Sequence, residues 1–248
     1  IISILLLVSS LFSQDYFTMQ HESGLREYYV SYPDISSDPA PLIINMHGFG
    51  GTALGQRYSS EMDDYALPQG VAVVYPQGLG ASWSVGTFWT NFNFADDVDF
   101  ISQMIDKIAQ DYSIDLNRVY ATGMSNGGYM AYELGCELSH KIAAFGSVTG
   151  NFMLNDDQNC ILEKEIPIMH IHGTSDLVVD YYPPSFDQAL TVSESMDYWN
   201  SINVLDSLEI ISIDGSEGVL SVFWITYIIF SDPVIMFHGM IILCKKRT

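Results

Sequence analysis

Residues 119–128 read Val-Tyr-Ala-Thr-Gly-Met-Ser-Asn-Gly-Gly, an apolar β-rich run that breaks into a serine flanked by glycines. Gly123-Met124-Ser125-Asn126-Gly127 is a Gly-x-Ser-x-Gly pattern. It carries chemical meaning only when a strand precedes it and a helix follows. Both are expected here: Val119–Thr122 reads as a strand, and the residues from Ser125 to about Leu138 read as a helix. So tight a turn brings backbone segments together, and a Cβ at either flanking position would clash. The hydroxyl of Ser125 should then stand above the sheet at the positive end of the helix, as a nucleophile's would.

Outward from this stretch, β-rich runs alternate with helical patterns. Strands are expected at Tyr28–Tyr32, Leu42–Met46, Val71–Tyr75, Ala144–Val148 and Ile168–Ile171. The later runs are apolar throughout, as parallel strands covered on both faces are. Ile101, Met104, Ile105, Ile108 and Ala109 fall on one helical stripe, and Asp96 and Asp97 suit its start. A further helix is expected from about Phe186 to Trp199. The fold class is therefore α/β: a mostly parallel central sheet with helices on both faces.

His47-Gly48-Phe49-Gly50-Gly51 follows an early strand, where small residues let backbone N–H groups face a cavity. With Ser125 as nucleophile, the oxyanion donors are expected to be the backbone N–H groups of Phe49 and Asn126. The acid should follow a later strand. Asp176 comes at once after Ile168–His172 and is preferred to Asp180, four residues on. Of the six histidines, only His238 lies beyond Asp176, so chain order elects it as the base.

Nine Lys and Arg against 30 Asp and Glu give a formal net charge of -21, which repels phosphate backbones and argues against a nucleic-acid partner. No Cys-x-x-Cys or His/Cys cluster suggests a metal, and the serine chemistry calls for no cofactor. Residues 1–14, uncharged and apolar, read as a signal peptide truncated at its start, which implies a secreted or periplasmic protein. Export permits a disulfide. Cys136 and Cys160, the closest pair among the three cysteines, are favoured for it and leave Cys244 over. The catalytic domain is expected over residues 15–217. Residues 218–248 form an atypical apolar tail closed by Lys245, Lys246 and Arg247. It reads either as a membrane hairpin or as sequence not native to the fold; the second is preferred, because neither apolar half is long enough to span.

With these residues in place, the chain resembles the secreted polyhydroxybutyrate depolymerase and feruloyl esterase group of α/β-hydrolases. The resemblance covers roughly residues 25–205. It rests on PLIINMHGFGG, VVYPQG with the nearby Trp83, DDVDFISQMID, RVYATGMSNGGYMAYELGCEL and IPIMHIHGTSDLVVDYY. It implies Ser125 as nucleophile, Asp176 as acid, Phe49 and Asn126 as oxyanion donors, and a Cys136–Cys160 disulfide. It also implies a substrate-side loop around Trp83, where an aromatic face can stack on a phenolic or sugar ring; a tryptophan packed in the core is the alternative. Ester substrates, small or polymeric, are implied with it. The resemblance fails at the C-terminal end, where such proteins carry a Gly-Gly-His-x-Trp-Pro-type segment that this sequence lacks. Either His238 substitutes for that histidine or the chain lacks its base. A catalytically inert hydrolase-fold protein and a serine peptidase of the same fold are the competing readings.

Overall fold

The computed structural model describes residues 14–34, 39–86, 94–153, 160–183 and 189–203, with the backbone of strands at 207–215, 218–226, 235–237 and 240–242. Residues 1–13 of the expected signal peptide, His238 and Cys244 lie outside the described residues.

The strands are β1 (Gln14–His21), β2 (Gly24–Ser31), β3 (Ala40–Met46), β4 (Ala72–Pro76), β5 (Ile114–Met124), β6 (Ala144–Val148), β7 (Ile168–Gly173), β8 (Ser207–Gly215), β9 (Gly218–Thr226), β10 (Ile235–Phe237) and β11 (Met240–Ile242). The α-helices are α1 (Ala53–Ser60), α2 (Met62–Ala66), α3 (Asp97–Asp111), α4 (Asn126–Glu137) and α5 (Val192–Ile202). Nine strands make one sheet in the order β1-β2-β4-β3-β5-β6-β7-β9-β8, and β10 pairs with β11 apart from it. From β4 through β3, β5 and β6 to β7 every pairing is parallel, while β1, β2, β9 and β8 pair antiparallel at the two edges.

The continuous apolar runs follow from burial on both faces. In β3, Leu42, Ile44 and Met46 join the larger core with Phe100, Ile101 and Met104 of α3, Tyr129 and Met130 of α4, and Met196 and Trp199 of α5. Ile43, pointing the other way, joins Val73, Tyr75 and Tyr120 with Ala53 of α1 and Met62 of α2. A period of two therefore feeds two cores, and neither face leaves room for polar alternation. This is the expected arrangement, helices on both faces of a mostly parallel sheet.

Local chemistry sets the helix starts. The Asp96 side chain accepts from the Asp99 N–H at the start of α3, and Thr191 and Glu194 form a reciprocal capping box at α5. The α5 start at Val192 lies later than the expected Phe186. Strand β1 and helices α1 and α2 were not anticipated from the sequence. In β1 the signal was nonetheless there, since Tyr16 and Thr18 are exposed while Phe17 and Met19 pack against the core.

Cys136 and Cys160 are disulfide-bonded with their Cα atoms 5.3 Å apart, tying the end of α4 to the segment entering β7. The expected domain boundary at 217–218 falls between β8 and β9, which pair along their whole length, and β9 also pairs with β7. No helix among the described residues is long and apolar enough to cross a membrane.

Candidate active site

Strand β5 ends at Met124 and α4 begins at Asn126, leaving Ser125 alone in the bend with φ 53° and ψ −120°. A non-glycine residue held there is strained, and it persists only where its surroundings fix it. They do: the Ser125 N–H donates to Val148 O at 2.8 Å, and its carbonyl accepts from the Tyr129 N–H at 3.0 Å. A Cβ on Gly123 would lie 2.5 Å from Gly127 backbone atoms, and one on Gly127 would lie 2.4 Å from Met46 O. The turn closes because both positions are glycine.

The His47–Gly51 loop lies directly beside this bend. A Cβ on Gly48 would stand 3.4 Å from the Ser125 Cβ and 3.3 Å from Met124 O. Phe49, next along, is 51% exposed. The loop is braced from beneath. His47 Nδ1–H donates to Gly48 O (2.8 Å), and His47 Nε2 accepts from the Gly78 N–H (3.0 Å). Burial holds this imidazole below its usual pKa, consistent with a neutral ring used as a strut. The Asn126 side chain completes the brace, its Oδ1 accepting from Trp83 N–H at 2.7 Å and its Nδ2 donating to Trp83 O at 3.1 Å. The N–H of Asn126 itself belongs to the first turn of α4, where helix geometry supplies no acceptor.

Trp83 departs from the expectation of a ring-stacking surface. It is 0% exposed, donates Nε1–H to His47 O at 2.8 Å and packs against the His47 ring at 5.0 Å. An indole so placed offers no face to a substrate. It supports the glycine loop, and only packing could distinguish the two roles, since a tryptophan suits both.

Asp176 follows β7, two strands from β5 in the sheet, so it and Ser125 leave the same sheet edge about 10 Å apart in strand spacing. Its Oδ1 accepts from the N–H groups of Val178 (2.8 Å) and Val179 (3.0 Å), which fixes the carboxylate. Asp180, the rival, is exposed.

Each described histidine bonds a partner other than Ser125. His21 bonds Ser23 and Asp99, His47 braces its own loop, and His140 pairs with Glu163. His170 and His172 bond each other, and His172 Nε2 donates to Val179 O. Among the described residues, no cluster of three His, Cys, Asp or Glu could hold a metal.

A separate cavity of about 460 Å³ lies between the start of α3 and α4, lined by Asp96, Asp97, Asp99, Glu133 and Glu137 among others. Burial and then the neighbouring Glu137 push Glu133 up to about 7 from 4.5. A carboxyl whose folded pKa is raised contributes stability below pH 4.5 and loses that contribution as pH rises toward 7. Glu133→Gln should therefore flatten the pH dependence of thermal unfolding across this window. Above pH 7 it should unfold a few degrees higher than the parent (about 2–4 °C for about 1 kcal/mol). Melting curves at pH 5 and pH 8 check this; equal shifts at both would contradict it.

A family model described as Phospholipase/Carboxylesterase matches residues 34–193. The bifunctional acetylxylan esterase/xylanase XynS20E of Neocallimastix patriciarum is 30% identical over 156 residues, 63% of this chain and 22% of that protein. Feruloyl esterase B of Piromyces equi is 33% identical over 164 residues, covering 63% of this chain and 30% of that one. The chain thus spans less than a third of the length of these two relatives. Among solved structures, a thermostable esterase superposes with a TM-score of 0.58 at 24% identity, over 76% of this chain and 52% of that one. That likeness is one of fold.

Proposed function

The chain belongs to the phospholipase/carboxylesterase family of α/β-hydrolases, and on that premise we propose that it is an exported serine carboxylic-ester hydrolase. The observation that carries the reading is the bend at Ser125, a strained serine set between strand and helix with the Gly48–Phe49 loop against its Cβ. The Ser125 Oγ attacks the ester carbonyl while a histidine takes its proton. The Phe49 and Asn126 N–H groups receive the oxyanion, and Asp176 stabilises the imidazolium. The imidazolium then gives its proton to the departing alcohol, leaving an acyl-serine. Water, deprotonated by the same histidine, releases the acid and restores Ser125. We assign the histidine to His238, the one that follows Asp176 in the chain.

For substrates we propose feruloyl or acetyl esters of plant polysaccharides, with polyhydroxyalkanoate-type polyesters as the alternative class. The names of the acetylxylan and feruloyl esterase relatives support the first. Export is supported by the apolar leader and by the Cys136–Cys160 disulfide. One observation favours a second reading, a hydrolase-fold protein that binds esters without cleaving them: all five described histidines bond elsewhere.

The test is covalent labelling by a fluorophosphonate, mapped by peptide mass spectrometry, with turnover of a feruloyl ester, an acetylated xylan, a polyhydroxybutyrate film and a peptide amide. Labelling at Ser125 with ester cleavage is expected. No labelling would leave the inert reading standing, and faster cleavage of the amide would make the protein a peptidase.

A further inference from the structure

Behind the Asp176 loop runs a buried series of polar groups that the chemistry above does not use. Tyr132, on α4, lies 2.8 Å from His170 Nδ1; His170 Nε2 lies 3.1 Å from His172 Nδ1; His172 Nε2 lies 2.8 Å from Val179 O. The His170 and His172 rings stack nearly parallel, 16° apart, and all three side chains are buried.

The last acceptor fixes the direction of the whole series. A carbonyl only accepts, so His172 carries its proton on Nε2 and Nδ1 is left as an acceptor. His170 must then donate from Nε2, which makes its own Nδ1 an acceptor, and Tyr132 donates its hydroxyl to it. Each proton has one place to be. A second proton on His172 would set two N–H groups face to face, and burial also holds both imidazoles below their ordinary pKa.

The series ends where it matters for Asp176. Val179, whose carbonyl takes the final bond, also donates its N–H to Asp176 Oδ1, and His172 Nε2 stands 3.8 Å from Asp176 Oδ2. Tyr132, at the other end, sits on the helix that begins at the Ser125 bend. We propose that Tyr132, His170 and His172 form a one-way chain of neutral hydrogen bonds that holds the Asp176 carboxylate in register with the nucleophile's helix, making His172 a positioning residue for the acid. The inference rests on Asp176 being that acid. Its physical basis is that the two loops bearing the reacting groups leave different strands, and a misplacement of about 1 Å can cost about a hundredfold in rate.

The experiment compares His172→Leu, His172→Gln and Asp176→Asn on a soluble aryl acetate. His172→Leu should lower kcat about tenfold with KM within about twofold, while His172→Gln, whose amide can still donate to Val179 O, should recover most of the loss. Parental kcat in His172→Leu alongside a damaged Asp176→Asn would overturn this inference and leave the esterase reading intact. Parental kcat in Asp176→Asn would instead remove Asp176 as the acid, and the inference with it. Nitrogen-15 NMR of the parent's histidines is independent of whether any variant folds. Both rings should be neutral with the proton on Nε2, and a proton on Nδ1 of either would refute the chain.

Discussion

Ser125→Ala is expected to lose at least about a thousandfold in kcat on any ester the parent cleaves, with the folded state retained. On the proposed mechanism the loss follows from removing the atom that forms the covalent intermediate, while the proposed oxyanion donors, which are backbone groups, remain. They sustain a small residual rate, so a finite remnant is expected rather than zero. Retention of the fold follows from what holds the bend. The Ser125 N–H and carbonyl, bonded to Val148 O and the Tyr129 N–H, are unchanged by the substitution, and alanine meets the same positive φ as serine. Steady-state kinetics and a melting curve on the same preparation decide it. Undiminished turnover would remove Ser125 from the mechanism. Lost turnover together with a collapsed melting temperature would make the serine's role one of folding.

Gly127→Ala should have the largest effect on stability, a loss of about 3 kcal/mol or more. The added methyl would sit 2.4 Å from Met46 O and 2.6 Å from His47 O. Neither atom can give way cheaply. Met46 closes the parallel pairing of β3 with β5 opposite Gly123, and the His47 carbonyl takes the Trp83 indole N–H. Relief therefore requires unzipping the sheet at its centre or pushing the His47–Gly51 loop away from Ser125, so the surviving folded protein should also be slow. Gly173→Ala is the matched control. A Cβ there meets nothing within 4 Å, and its unfolding should stay within about 0.5 kcal/mol of the parent. Denaturant titrations of the pair measure both. Equal stabilities would mean that the bend is looser than its contacts imply.

Much of the scaffold was legible because its signals are local. The strand entering Ser125, the stripe of Ile101, Met104, Ile105 and Ile108 on α3, and the glycines about the serine each depend on a few adjacent residues. So does the position of Asp176, which leaves the end of β7. Less local features were harder to read. Helices α1 and α2 are short, and α1 buries only Ala53 and Gln56, so its apolar periodicity is faint. The sequence preferred Asp176 to Asp180 only for its place next to the strand end, since two carboxylates four residues apart otherwise look alike. The tertiary structure separates them, giving one two backbone donors and leaving the other exposed.

The amino-acid order alone determined the layered α/β architecture, the serine set among glycines at the strand-to-helix bend and the glycine loop beside it. Hydrophobic period and glycine placement are properties of neighbouring residues and need no partner from afar. What Trp83, His47, His170 and His172 do was decided only by folding. Each is a side chain with an apolar body and hydrogen-bonding atoms, equally able to face a ligand or to brace a loop. The partner that settles the matter, the His47 carbonyl for Trp83 or the Val179 carbonyl for His172, arrives from elsewhere in the fold or across a loop. Packing engaged all four inside the fold: Trp83, His47 and His172 each donate to a backbone carbonyl, and His170 bonds Tyr132 and His172.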